Sequence, residues 1–146
     1  MLTVARAGIA NVDIIAPLFD LYRQFYQQPP DAAGAFSFIN ERLLKNESAI
    51  FIAYWDGVPA GFTQLYPVFS SVSMCRSWIL NDLYVHDDFR KHGVGHALLE
   101  KAKEHGRATS SNGLLLETAT DNFKAQSLYE KNGWIRESHF FYWFTL

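Results

Sequence analysis

Across residues 49–85 the apolar side chains abandon helical spacing for an extended pattern, so any fold open to this chain must house several consecutive strands. Ala49-Ile-Phe-Ile-Ala-Tyr-Trp55 reads as one strand, Asp56-Gly57 as a hairpin turn, and Ala60–Phe69 as the returning strand. The chain turns again at Ser70-Ser71, and Trp78-Ile-Leu-Asn-Asp-Leu-Tyr-Val85 predicts a third strand. That strand is apolar at both ends but carries Asn81 and Asp82 in its interior. Polar groups in such a place either satisfy the backbone at a strand irregularity or present chemistry to a site.

On both sides of this block the period is helical. Leu2–Arg6 alternates as a first strand, and Asn11 caps a helix bearing Ile14, Ile15, Leu18, Leu21, Tyr22, Phe25 and Tyr26, with Pro17 early in it and Pro29-Pro30 as its stop. A second helix is expected from Asp31 to Asn46. After the third strand of the block, Val94, Ala97, Leu98 and Ala102 predict a helix over 93–105 that Gly106 ends. Leu114–Leu116 is a short buried strand, and Asp121 or Asn122 caps a last helix that Gly133 terminates. Trp134–Phe144 supplies two short, very aromatic strands. The order βααβββαβαββ indicates an α/β fold, a mixed, mostly antiparallel sheet flanked by helices. No repeat or linker divides the 146 residues, which suit a single domain, 1–146.

Charge and cysteine content remove several classes of function. With 13 Lys+Arg against 15 Asp+Glu the formal net charge is -2, so the chain lacks the bulk positive field that draws proteins to nucleic acid or anionic membranes, and neither partner is expected. The amino-terminal stretch has no long apolar run and carries Asp13 in its middle, unlike a leader or a membrane span. Cys75 is the one cysteine, which excludes an internal disulfide and a cysteine-based zinc site and suits a reducing cytoplasm; with no histidine beside it, it reads as inert. His92 and His96 stand four apart but lack the glutamate of an H-E-x-x-H pattern, so no metal is expected.

The segment Arg90-Lys91-His92-Gly93-Val94-Gly95-His96 joins a strand to a helix. Two glycines one residue apart let the backbone turn N–H groups toward a ligand, and the helix start adds partial positive charge, so the loop suits an anion such as phosphate or pyrophosphate. Arg90 and Lys91 add two formal charges at the same point. A dinucleotide fingerprint would need a third glycine where Leu98 stands, and no Gly-Lys-Ser/Thr of a Walker loop is present.

Arg90-x-x-Gly93-x-Gly95, preceded by Asp82-Leu-Tyr-Val85 and followed by Asn122-x-x-Ala125-x-x-Leu128-Tyr129-x-x-x-Gly133-Trp134, resembles the GNAT superfamily of acyl-CoA-dependent N-acetyltransferases, its polyamine and histone-and-polyamine branches in particular. The resemblance covers nearly the whole chain. It implies acetyl-CoA as co-substrate, with the pyrophosphate held by residues 90–96, that is Arg90, Lys91, His92, Gly93, Val94, Gly95 and His96. The pantetheine arm would pair with the main chain of Leu83, Tyr84 and Val85, and the acetyl group would lie beside Asp82 and Leu83. It further implies that Asn122, near Ala125, contacts the pantetheine, that Tyr129 sits near the thioester sulfur, and that Lys131 reaches the adenine-side phosphates. Two departures stand out: Asp87 where relatives often carry proline, and Phe89 where they carry tyrosine.

Acetyl transfer needs a neutral amine, and an alkyl ammonium with a pKa of about 10.4 must first lose a proton. The resemblance suggests a main-chain N–H near Leu83 for the developing oxyanion and Tyr129 as the acid at sulfur. Polyamine-acetylating relatives often have Glu-Asp where this chain has Asn81-Asp82, which leaves Asp82, Glu117 or a chain of waters as the base. Tyr22, Phe25, Tyr26, Phe36 and Tyr66 are candidates for the acceptor pocket, and the aromatics of 134–144 for core and a homodimer contact. A small primary amine, such as a polyamine or an amino-acid-like amine, is the expected acceptor. A protein or peptide acetyltransferase and a non-catalytic acyl-CoA sensor are the alternatives.

Overall fold

The computed structural model describes all 146 residues. Its elements are β1 (Leu2–Arg6), α1 (Val12–Phe25), α2 (Ala32–Leu44), β2 (Ala49–Trp55), β3 (Val58–Ser70), β4 (Cys75–Val85), α3 (Val94–Ala108), β5 (Leu114–Leu115) and α4 (Phe123–Lys131), with single 3-10 turns at Ile9–Asn11 and Asp87–Phe89. The five strands form one sheet in the order β1-β2-β3-β4-β5. The first four are antiparallel neighbours, and β5 runs parallel to β4.

β2 is apolar throughout because both its faces are covered. Ile50 and Ile52 point toward α1 and α2, where they meet Ile15, Phe19, Ile39 and Phe62. Ala49, Phe51 and Ala53 point the other way, into a second core of Leu65, Trp78, Leu80, Leu98, Leu99 and Ala102 under α3. A period of two along a strand sends alternate residues to opposite faces, so one continuous apolar run serves two cores and gives a three-layer molecule.

The polar interruption in β4 is a β-bulge. Gln64 pairs with Asp82 but Leu65 pairs with Leu80, so Asn81 is the extra residue. One extra residue reverses the alternation. Trp78 and Leu80 belong to the α3 face, whereas Tyr84 belongs to the α1/α2 face and Asp82 lines the cavity on that side. In an unbulged strand, Asp82 would share the face of Trp78 and Leu80 and point at α3.

Capping explains the helix starts. Asp31 accepts from the Gly34 N–H (2.9 Å) at the start of α2, and Asn122 accepts from the Ala125 N–H (3.2 Å) at the start of α4. Gly133, at φ +84°, ends the turn after α4 as expected. Gly106 does not stop α3, which continues to Ala108. A side chain there would press on Leu114, with its Cβ 3.1 Å from Leu114 Cδ1, so the glycine serves the approach of β5 instead.

The two terminal strands expected over 134–144 do not form. Trp134 packs beside Tyr129 with ring centroids 6.2 Å apart, but residues 135–146 have no regular structure. Phe140 is 88% exposed and Trp143 81%. Strand-forming composition is insufficient without a ladder partner, and β5, the outermost strand, offers two paired residues.

Candidate active site

β4 divides into two halves that differ in what lies beside them. Trp78 and Ile79 pair with Leu114 and Leu115, and there the pairing with β5 ends. From Asp82 to Val85, β4 pairs with β3 through Gln64, Thr63, Phe62 and Gly61, and its other edge is open. The His86 N–H donates to the Ala60 carbonyl (2.9 Å), and antiparallel alternation from that bond turns the main-chain groups of Tyr84 toward β3 and those of Leu83 and Val85 toward the open edge. Such an edge accepts an extended ligand carrying amides as it would accept a strand.

At the end of this edge lies the glycine loop. Lys91 (φ +66°) and Gly93 (φ +80°) are both left-handed, and α3 begins at Val94 with no side-chain cap. The N–H groups of Val94, Gly95 and His96 have no acceptor within the chain, and the space beside Gly93 is open. Gly95 answers a different need. A Cβ there would lie 3.1 Å from Leu128 Cδ2, so its bareness lets α4 pack against α3. Main-chain donors at a helix start, beside an open strand edge, fit a pyrophosphate joined to an amide-bearing arm, which is the outline of coenzyme A.

The loop side chains take more individual positions than the spacing suggested. Arg90 Nε donates to the Val85 carbonyl (3.1 Å) and its Nη2 pairs with Asp87 (2.5 Å), so Arg90 braces the loop and neutralises one of the two acids. Lys91 is exposed and unpaired. The His92 ring lies on Trp55, with centroids 5.1 Å apart, and His96 Nδ1 bonds to Asn132 beyond the end of α4. No three His, Cys, Asp or Glu side chains converge on a possible metal position.

On the α1/α2 side of the sheet, Phe19, Tyr22, Tyr26, Phe38 and Tyr66 wall a cavity of about 470 Å³ whose polar lining includes Asn81, Asp82, Arg23 and Asp31. Tyr22, Tyr26 and Tyr66 are therefore pocket residues, whereas Phe25 and Phe36 are not among its walls. Arg23 pairs with Asp20 (3.0 Å), so the cavity's cation is already matched and Asp82 and Asp31 leave it acidic. Glu117 is exposed and lines no part of this cavity.

Asp82 is 2% exposed. Burial pushes its carboxyl up from the usual aspartate range, and hydrogen bonds from Asn81 and Gln64, with the Tyr22 hydroxyl nearby, offset part of that rise. Asn81 Nδ2 donates to Oδ1 (2.7 Å) and Gln64 Nε2 to Oδ2 (2.5 Å). The Tyr22 hydroxyl donates to the Asn81 carbonyl (3.2 Å). Tyr129 reaches the same region from α4: burial and the neighbouring Tyr26 phenol push its hydroxyl up to about 12, which keeps it a proton donor at neutral pH. Asn122 spends its side-chain oxygen on capping, Ala125 supplies the capped N–H, and Lys131 is exposed at the end of α4. Sequence reasoning missed Ser48 and Gln64, and the one available signal was the polar pair Thr63-Gln64 inside a mostly apolar strand.

Residues 15–134 match the acetyltransferase (GNAT) family. The Bacillus subtilis protein named "Uncharacterized N-acetyltransferase YhfO" is 45% identical over 139 residues, 95% of this chain and 93% of its own. A crystal structure described as a probable acetyltransferase superposes with a TM-score of 0.90 at 39% identity, covering 99% of this chain and 96% of that one. An aminoglycoside N-acetyltransferase solved with CoA shares the fold at a TM-score of 0.83 and 20% identity, over 99% of this chain and 95% of its own. An open strand edge leading to a glycine-started helix, a match over most of the length and close full-length relatives agree: this chain belongs to the GNAT family of acetyltransferases.

Proposed function

We propose that this acetyltransferase takes acetyl-CoA as donor and transfers the acetyl group to the primary amine of a small cationic molecule of the polyamine kind. The observation that carries the reading is the place of Asp82. The bulge at Asn81 sets a buried carboxylate at the start of the open β4 edge and faces it into an aromatic, acidic cavity. Aromatic faces and carboxylates together favour an ammonium-bearing ligand.

In this reading the Leu83 and Val85 main chain orients the pantetheine arm, and the free N–H groups of Val94, Gly95 and His96 hold the pyrophosphate, with Lys91 beside them. Bound acetyl-CoA supplies an activated acyl thioester. Asp82 attracts the protonated amine and receives its proton, the Leu83 N–H donates to the carbonyl oxygen as negative charge develops there, and Tyr129 donates to the departing sulfur. The protein works in the cytoplasm and pairs with a second copy through its aromatic C-terminal segment, whose exposed side chains support that reading.

Thiol release from acetyl-CoA across polyamines, amino acids, aminoglycosides and lysine peptides tests the proposal. Turnover confined to small polycationic amines is expected. Turnover of lysine peptides alone would overturn the acceptor assignment, and acetyl-CoA binding with no turnover of any amine would replace the enzyme by a sensor.

A further inference from the structure

A chain of buried polar groups crosses three strands behind Asp82. The Ser48 hydroxyl, just before β2, lies 2.8 Å from Gln64 Oε1 on β3, and Gln64 Nε2 donates to Asp82 Oδ2 on β4 at 2.5 Å. Gln64 is fully buried, and Ser48 nearly so. A glutamine amide sealed from water carries a large desolvation cost unless both its ends are bonded, and here both are. Ser48 has no part in the acceptor pocket's walls, nor has Gln64. Their burial therefore serves Asp82.

The direction of the donors decides what they do. A carboxylate can only accept, whereas a protonated carboxyl must also donate. Asp82 receives a donor at each oxygen, from Gln64 and from Asn81, with the Tyr22 hydroxyl close by. Neither side-chain amide offers an acceptor to an Asp82 O–H while Gln64 keeps its present orientation; only the Tyr22 oxygen, whose proton goes to the Asn81 carbonyl, could accept one. Ser48 completes that orientation: its hydroxyl donates to Oε1, so both ends of the Gln64 amide are bonded while its NH2 faces Asp82.

We propose that Gln64 is a positioning residue that holds Asp82 as an ionised carboxylate in the resting site, and that Ser48 supports this by bonding the Gln64 oxygen while the amide NH2 faces Asp82. The site would thereby be preset for a cationic amine before any ligand arrives. This inference rests on the acceptor reading above only for its use, since the ionisation itself is a property of the free protein. The groups around Asp82 that also titrate or carry charge are Tyr22 and the Asp20–Arg23 pair on α1, Tyr26 just after it, Asp31 before α2, Tyr66 on β3 and Tyr129 on α4. The tyrosines are held neutral well above pH 7, so no phenol titrates alongside Asp82, and the Asp82→Asn spectrum separates its resonance from those of Asp20 and Asp31.

The test follows the ionisation of Asp82 directly, by carbon-13 NMR of side-chain-labelled aspartate in the full chain, with the Asp82→Asn spectrum identifying the resonance. Gln64→Leu is expected to move its midpoint up by about one to two pH units, the loss of one hydrogen bond to a charged group. Ser48→Ala should move it the same way by less, and Ser48→Thr, which keeps a donor, should leave it in place. Should Gln64→Leu fail to fold, the Ser48 pair decides. The proposal is overturned if Gln64→Leu, or in its absence Ser48→Ala, leaves the midpoint unchanged, or if Ser48→Thr shifts it as far as Ser48→Ala. The pH profile of kcat/KM for the best amine should move with the NMR midpoint. An NMR shift without a matching kinetic shift would retain the relay and count against Asp82 as the proton acceptor, and so separates the two proposals.

Discussion

Replacing Tyr129 by phenylalanine tests how the leaving sulfur is stabilised. The Tyr129 hydroxyl is pushed up to about 12, whereas a simple alkyl thiol loses its proton near 8.5. Complete transfer of the phenolic proton to the departing thiolate would therefore run uphill by roughly 3.5 pH units, about 5 kcal/mol. The phenol is thus expected to donate a hydrogen bond to the developing thiolate and to keep its proton. A hydrogen bond to a charged group contributes about 1.5–3 kcal/mol, so Tyr129→Phe should lower kcat by about 10- to 150-fold, well short of the 10⁴-fold loss possible for a full general acid. The assay is thiol release from acetyl-CoA at saturating amine, with a single-turnover measurement to confirm that chemistry limits. An acetyl donor with a more acidic thiol needs less help, and the gap between wild type and variant should narrow with it. An unchanged kcat under chemistry-limited conditions refutes the role, and a gap that widens with the better leaving group refutes the hydrogen-bond account.

Gly61→Ala puts a methyl group against the Tyr84 carbonyl, a main-chain atom that cannot swing aside, so the β3–β4 pairing must yield. A loss of about 1–3 kcal/mol, read as a drop in Tm of about 3–10 °C, is expected, together with weaker CoA binding by calorimetry because the displaced residue borders the open edge. Asp82→Asn should abolish turnover and remove the pH dependence of stability that Asp82 imposes, whatever its net effect on Tm, since the introduced NH2 must face one of the two amide donors. The folded-state pKa of Asp82 lies above its unfolded value, so native stability falls as pH rises through that interval, and the asparagine variant escapes the fall. The difference in Tm between variant and wild type should therefore move in favour of wild type as the pH is lowered toward 4, and a difference independent of pH would contradict the argument. The aromatic tail predicts a dimer: five rings from Phe140 to Phe144, each 71–88% exposed, would bury about 600–1,000 Å² per copy, enough for a stable pair. Light scattering at micromolar concentration should give twice the 16.7 kDa chain mass, and Phe141→Asp with Trp143→Asp should halve it. A monomeric wild type would remove the dimer.

The sequence foretold those parts of the fold in which local pattern and tertiary surroundings agree. β1, β2 and α1 carry their own period and punctuation, and they form close to where it places them. Asn81-Asp82 announced itself as an interruption, but only the pairing register reveals a bulge that rotates Asp82 into the cavity. Gly93 and Gly95 look alike in sequence and differ in cause, one needing a left-handed backbone and the other giving room to Leu128. Ser48 and Gln64 stand 16 residues apart on separate elements, and no spacing rule joins them. The tail shows the reverse failure: 134–144 has the composition of strands and lacks the neighbour that would make it one.

Beyond Gly106 no residue is fully buried, and α4 is tied to the rest through Leu128, Tyr129, Trp134 and the bonds of His96 and Lys103 to Asn132. With β4 and β5 parting after two pairs, the molecule comprises a firmly cored amino-terminal part and a lightly attached carboxy-terminal one. These parts should open separately, with amide protons of α4 exchanging through a local event far less costly than global unfolding. In the proposed binding mode a coenzyme along the open β4 edge would touch both parts at once and act as a removable seam. Its binding energy then appears as cooperativity, and hydrogen exchange in α4 should slow toward the rate of the sheet as the cleft fills.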